Sequence, residues 1–270
     1  MSEQPETSPL SPQAKLESYY QNEKERRQLV REMFDEAAEG YDRAETLTSL
    51  GNGRLYRRQA LQRAGLTEGM RMLDVATGTG LVAREAIKLL GGPEWLVGLD
   101  PTPGMLAQAR KNLHIETVEA FAEAIPLKDA RFDFLSMGYA LRHVSDLLLT
   151  FREFYRVLAP GGRVCVLEIT RPRTRVGTLS MKCYIRGIVP MLSLFTAKGR
   201  KAGKLWKYYW DTIIACVDPE TILQGMRDAG FVDVNRHVAL GTFSEYTGRR
   251  PDDQAAPDRN SAIRDARSRP

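Results

Sequence analysis

Between about residue 70 and residue 169 the chain alternates short apolar runs with amphipathic stretches, and this alternation limits the possible folds more than any other feature. Met70–Ala76, Trp95–Asp100, Ile115–Glu119, Phe132–Gly138 and Arg163–Ile169 read as strands. Leu81–Leu90, Gly104–Asn112 and Leu147–Leu158 read as helices, and the turn Ala159-Pro160-Gly161-Gly162 opens the fifth strand. Strands separated by helices pair side by side through crossovers, so the pattern predicts an α/β fold: a parallel sheet covered on both faces. After an insertion at about 172–216, a helix from Pro219 to Ala229 and strands at about 231–238 and 240–247 complete a doubly wound, seven-stranded, mostly parallel sheet with a C-terminal antiparallel hairpin strand. In such sheets ligands bind beyond the carboxyl ends of the central strands.

The flanks read differently. Residues 1–14 are rich in Pro, Ser and Glu and read as disordered, and residues 250–270 read as a loose, charged tail. The expected domain is therefore 15–249, with 172–216 as a lid insertion. Residues 15–45 read as one amphipathic helix with Leu29, Val30, Met33, Phe34 and Ala37 on its apolar face. Cys165, Cys183 and Cys216 form no CxxC, and His114, His143 and His237 are scattered, which argues against a disulfide frame or a metal site. A net charge of +5 raises the question of nucleic acid. No helix-turn-helix, finger or RNP-like pattern accompanies it, so nucleic acid is not an expected partner. The first residues carry no apolar signal core and no apolar run spans a membrane, so a cytoplasmic location is expected.

The turn after the first strand, Asp74-Val75-Ala76-Thr77-Gly78-Thr79-Gly80-Leu81, permits close approach of a ligand to the backbone. Asp100, ending the second strand, can accept both hydroxyls of a ribose. Two cofactors fit. Gly78-x-Gly80-x-x-Ala83 satisfies a relaxed dinucleotide fingerprint, which keeps an NAD-linked oxidoreductase open. Asp74 at the head of the loop favours S-adenosylmethionine, because an extra carboxylate suits an ammonium and repels a pyrophosphate. Ala122-Glu123-Ala124-Ile125-Pro126-Leu127 offers backbone groups for an adenine edge.

Together with the Pro160-Gly161-Gly162 turn, these segments resemble the Rossmann-like class I S-adenosylmethionine-dependent methyltransferases over roughly residues 30–247. By that resemblance Asp74, Gly78, Thr79 and Gly80 hold the methionine part of S-adenosyl-L-methionine. Asp100 holds the ribose, Pro101 and Met105 pack on adenine, Phe121 and Ala122 border it, and Gly138 lies at the cofactor's edge. The family usually carries Asp or Asn where this chain has Phe121.

A second, more specific resemblance is to the ubiquinone/menaquinone C-methyltransferase family. It rests on Phe34-Asp35-x-x-Ala37-x-x-x-Tyr41-Asp42, on Met137-Gly138-Tyr139-Ala140-Leu141-Arg142-His143-Val144-Ser145-Asp146, on Val166-Leu167-Glu168-Ile169-Thr170-Arg171-Pro172 and on Asp228-Ala229-Gly230-Phe231. It implies methylation of an activated ring carbon on a lipophilic aromatic or quinone substrate. Tyr139, Arg142 and His143 are the catalytic candidates. Arg142 stays protonated and suits orientation and charge stabilisation. His143, in place of the family's usual Asn, titrates in a range useful to a base. The plain alternative makes Arg142 a partner of Asp146 or a helix end, and His143 packed structure.

Three other readings stay open: transfer of the cofactor's amino group to give a rhodoquinone-type product, a non-catalytic scaffold, and a homodimer. The insertion joins an apolar run, Tyr184–Phe195, to Lys198, Arg200, Lys201, Lys204, Trp206, Lys207, Tyr208, Tyr209 and Trp210. That stretch, 184–210, suits either peripheral contact with an anionic membrane face or a lid turned onto its own protein.

Overall fold

The computed structural model describes residues 11–12, 16, 19–49, 51–172, 174–193 and 199–252. Lys198 and residues 253–270 lie outside the described residues, as do the side chains of Arg200, Lys201 and Lys204. Of the flanks expected to be loose, Pro12 is buried and its carbonyl accepts a hydrogen bond from the Val217 amide. Arg250 exchanges backbone hydrogen bonds with Gly161 and Gly162 and donates its Nη1 to the Leu158 carbonyl at 2.7 Å.

Three helices precede the sheet: α1 (Glu23–Ala37), α2 (Tyr41–Thr48) and α3 (Asn52–Arg63). The single helix expected over 15–45 is thus broken, by a short 3-10 turn ending at Gly40, where the helix-weakening glycine lets the chain change direction. Helix α3 was not expected. It begins after Gly51, whose φ of +77° suits a residue without a Cβ.

The alternation then runs β1 (Met72–Val75), α4 (Leu81–Leu90), β2 (Leu96–Asp100), α5 (Pro103–Leu113), β3 (Glu116–Glu119), β4 (Phe132–Gly138), α6 (Leu147–Val157) and β5 (Leu158–Ile169). The insertion is helical: α7 (Arg175–Cys183), a π turn over Tyr184–Ile188, α8 (Val189–Ser193) and α9 (Gly199–Ala215). Helix α10 (Pro219–Asp228) and strands β6 (Val232–Ala239) and β7 (Phe243–Arg249) finish the fold. The seven-stranded sheet has the order β3-β2-β1-β4-β5-β7-β6, with β7 alone running opposite to the other six strands. Strand β5 begins at Leu158, earlier than expected, because Leu158 pairs with Phe132 before the Pro-Gly-Gly bulge and Arg163 pairs with Phe134 after it.

Burial explains why the central strands read as apolar runs rather than alternating ones. On β1 and β4, Leu73, Val75, Leu135 and Met137 pack with Phe151 and Phe154 of α6 on one face. Met72 and Phe134 pack with Leu61 of α3 and Leu90 of α4 on the other. Strand β1, between β2 and β4, ends where crossovers diverge to opposite sides, which opens a crevice at its carboxyl end.

Candidate active site

The turn from β1 into α4 is shaped by its own side chains. The Asp74 carboxylate is 1% exposed; it accepts from Thr77 Oγ1 at 2.7 Å and from the Ser136 hydroxyl of β4. Burial outweighs those two hydrogen bonds and pushes its pKa up to about 6. Gly78 follows in the left-handed region (φ +56°), with open space where a Cβ would stand. Its amide donates to Asp100 Oδ2 at 2.9 Å, while Thr102 N donates to Oδ1 at 2.8 Å, so the carboxylate ending β2 braces the turn. Burial also raises the Asp100 pKa. Gly80, the cap of α4 at φ +90°, is pressed on Leu113: a Cβ there would meet Leu113 Cδ1 at 2.3 Å.

Around this turn lies a cavity of about 150 Å³. Gly78, Thr79, Asp100, Pro101, Met105, Phe121, Ala122, Gly138, Tyr139, Arg142 and His143 all line it, and the fold thus gathers residues from four strand ends. Asp74 and Gly80 do not line it; one ties the turn to β4 and the other seats α4. The roof is α1. Arg26 Nη1 donates to the His143 carbonyl at 2.5 Å, and its Nη2 reaches Glu23 at 2.6 Å and Ser145 Oγ at 2.9 Å. Arg27 lays its guanidinium over the Phe121 ring at 4.7 Å. The two acids of the N-terminal motif anchor this roof. Asp35 accepts from Gly104 N at 2.8 Å, and Asp42 accepts from Thr79 Oγ1 at 2.5 Å and Arg84 Nη2 at 3.0 Å. Glu123, buried on the same wall, accepts from Ser145 N at 2.6 Å.

The catalytic candidates take distinct places. Arg142 is 1% exposed; its Nη1 lies 2.5 Å from Glu168 Oε1 and 2.8 Å from the Tyr139 carbonyl, and its Nε is 3.2 Å from Thr212 Oγ1. The guanidinium also covers the Tyr209 ring at 4.4 Å. Its partner is thus Glu168 rather than Asp146, which instead caps α6 by accepting from Leu148 N and Leu149 N. His143 is wedged between Phe34 and Tyr208, each with ring centroids at 5.7 Å, and both ring nitrogens are buried without hydrogen-bond partners among the described residues. Burial, with the charges of Arg142 and Arg26, holds its pKa well below the usual imidazole value. Tyr139 adopts φ +60°, a rare conformation for a bulky residue, fixed by its amide on the Leu167 carbonyl at 2.7 Å.

Tyr139 also faces a second, far larger cavity of about 1450 Å³. Its walls come from the N-terminal helices (Met33, Tyr41, Tyr56, Arg57), the insertion (Met181, Tyr184, Ile185, Trp206, Tyr209) and the β6–β7 hairpin (Leu240, Phe243). Tyr41, Arg57 and Tyr139 line both cavities and form their junction. Sequence reading had no hold on Arg57, which lies in the unexpected α3, nor on the roof arginines. Tyr41 and Glu123 stood inside the quoted motifs without an assigned role.

The small cavity suits a nucleoside: a carboxylate at a strand end for paired hydroxyls, apolar walls for a purine, and an open left-handed glycine for a close main-chain contact. The large one suits a bulky apolar molecule. No helix among the described residues is long and apolar enough to cross a membrane, and no His/Cys/Asp/Glu group there could hold a metal ion.

Residues 20–248 match the model of the ubiE/COQ5 methyltransferase family. The ubiquinone/menaquinone biosynthesis C-methyltransferase UbiE of Klebsiella pneumoniae is 32% identical over 234 residues, covering 83% of this chain and 92% of that protein. The demethylmenaquinone methyltransferase of Clavibacter sepedonicus is 31% identical over 86% of this chain and 95% of its own. Among solved structures, an S-adenosylmethionine-dependent methyltransferase from Aquifex aeolicus superposes with a TM-score of 0.55 at 19% identity, over 77% of this chain and 97% of that one.

Proposed function

Because the chain belongs to the ubiE/COQ5 methyltransferase family and is an S-adenosylmethionine-dependent methyltransferase, we propose that it methylates a ring carbon of a reduced, lipid-tailed quinone. The observation that carries this reading is the meeting of the two cavities at Tyr41, Arg57 and Tyr139. The cavity lined for a nucleoside opens there onto one large enough for an aromatic head and part of an isoprenoid tail. When bound, S-adenosylmethionine supplies a methyl group activated by the sulfonium sulfur.

Asp100 would hold the ribose, with Pro101, Met105, Phe121 and Ala122 packing on the adenine. Glu123 would take the role of the acid that Phe121 replaces, as acceptor for the adenine amine. Gly78 and Thr79 would present the main chain to the methionine end, near Gly138. Asp74 and Gly80 would act through the turn they shape. Tyr139 and Tyr41 would orient the acceptor ring. Arg142, spent on Glu168, would hold the Tyr139 carbonyl and so the left-handed turn. His143, uncharged because it is buried beside Arg142 and Arg26, would serve as a neutral packing ring on that side of the cavity. The apolar walls of the large cavity would shield the transferring methyl group from bulk water.

Tail delivery fits the outer surface. Ile188 and the 89%-exposed Leu240 belong to the large cavity's wall, and Val176, Leu179 and Met191 are exposed on adjacent turns beside Arg175, Lys182 and Arg186. Such a rim suits the interface of an anionic bilayer. The direct test incubates the enzyme with a short-tailed quinol and S-adenosylmethionine labelled in the methyl carbon, followed by mass spectrometry. Labelled methyl on the ring is the expected product. No transfer, or a nitrogen-containing product from amino-labelled cofactor, overturns the reading.

A further inference from the structure

We propose that Arg57 forms an oxyanion subsite, its unspent guanidinium N–H groups receiving the acceptor's ring oxygen and holding it as the phenolate. The inference rests on the large cavity being the acceptor site. Arg57 is 4% exposed and stands at the junction of the two cavities. Glu45 takes its Nη2 at 2.7 Å, which orients the group. Its Nε and Nη1 are buried with no hydrogen-bond partner among the described residues.

Buried donors without acceptors are costly, and a guanidinium cannot shed its proton to escape that cost. An acceptor belonging to a ligand removes it. Of the other buried arginines of the site, Arg142 gives its Nη1 to Glu168 and the Tyr139 carbonyl and its Nε to Thr212, and Arg26 gives its guanidinium to Glu23, the His143 carbonyl and Ser145. Of the three, Arg57 is the one with buried nitrogens, Nε and Nη1, that have no partner among the described residues.

The chemistry needs such a group. A phenolic ring carbon is a strong nucleophile once the neighbouring hydroxyl has lost its proton to solvent, and a fixed cation at that oxygen favours the ionised form. The ring carbon then forms a bond to the methyl carbon as the carbon–sulfur bond breaks, and the sulfonium charge is neutralised to a thioether. The same ring carbon releases its hydrogen as a proton, which restores aromaticity. The product phenolate regains a proton from solvent, so the net yield from the neutral hydroxyl is one methylated ring, one thioether and one proton, with no oxidant consumed.

The test uses 1-naphthol, a redox-stable phenol whose phenolate has its own absorbance, titrated with pH on the full-length enzyme, alongside methyl transfer to a short-tailed quinol. Bound to the wild type, naphthol should ionise at a pKa lower by about 1 to 3 than in water. Arg57→Gln should abolish that shift and cut kcat by about a hundredfold, with the affinity for S-adenosylmethionine unchanged. Arg57→Lys keeps the charge and should restore part of the shift; it also serves if the Gln variant fails to fold. Failure of the wild type to bind naphthol, an unshifted pKa, or an equal shift in Arg57→Gln overturns the proposal. A wild type that ionises naphthol but methylates no quinol leaves the subsite standing and removes the proposed function.

Discussion

Two buried carboxylates near the site behave in opposite ways because one has a cation and the other has none. Glu168 is fully buried against Arg142, so removing its charge strands a guanidinium in a low-dielectric interior. Glu168→Gln should therefore lower the free energy of unfolding by about 3 to 5 kcal/mol in urea denaturation. An unchanged midpoint would mean that the pair is not structural. Asp74 has no cation among its partners, and its pKa rises from 3.8 to about 6 on folding. The folded state therefore holds the proton more tightly, and stability falls as pH rises from 3.8 towards about 6, then levels off. Relative to Asp74→Asn, the wild type should lose about 2 kcal/mol between pH ~4 and pH ~7; parallel stability curves for the two proteins would refute this. His143 has the reverse sign for a base, since burial and two arginines favour its neutral form. Its ring resonances should show no titration midpoint near 6.5, and an NMR midpoint there would restore it as a proton acceptor for the reaction.

Helix α1 illustrates how an element with weak intrinsic claims becomes part of a site. Its face toward the protein includes Arg26 and Arg27 rather than apolar residues alone, and only Arg26 of its side chains is fully buried. That arginine joins the helix to the backbone at His143 and to Ser145. The roof is set low: about 150 Å³ is less than the roughly 300 Å³ at which pockets for drug-sized ligands begin. Helix α1 should accordingly lift on cofactor binding and close again through Arg26. Arg26→Ala should weaken S-adenosylmethionine binding roughly tenfold in calorimetry, the loss of one to two charge-assisted hydrogen bonds. Unaltered affinity would show that the roof is passive. The Glu23 pKa falls to about 2, because the Arg26, Ser145 and Arg27 contacts together outweigh burial, which works to raise it. The latch thus holds above the ordinary carboxylate range and is lost only as pH drops toward 2.

At the scale of the molecule, the strand–helix alternation was readable because β1, β2 and β4 are buried along most of their length, which makes them largely apolar apart from Asp74, Asp100 and Ser136 near their carboxyl ends and the half-buried Asp133. The turn Asp74–Leu81 was readable for a related reason, since a left-handed backbone at Gly78 and Gly80 tolerates little but glycine. The sequence by itself therefore determined the sheet, the switch point and the glycine turn beside the small cavity, all of which follow from local backbone rules and short-range periodicity. Only the tertiary structure decided what each charged group does. Asp74 turned to β4, Arg142 was consumed by Glu168 from a strand 26 residues on, and His143 was sealed between Phe34 and Tyr208. Arg57, silent in any motif, came to rest with free donors where the two cavities meet. Electrostatic roles depend on distance and desolvation, and both are set by which distant segments pack together, a quantity that no stretch of sequence carries on its own.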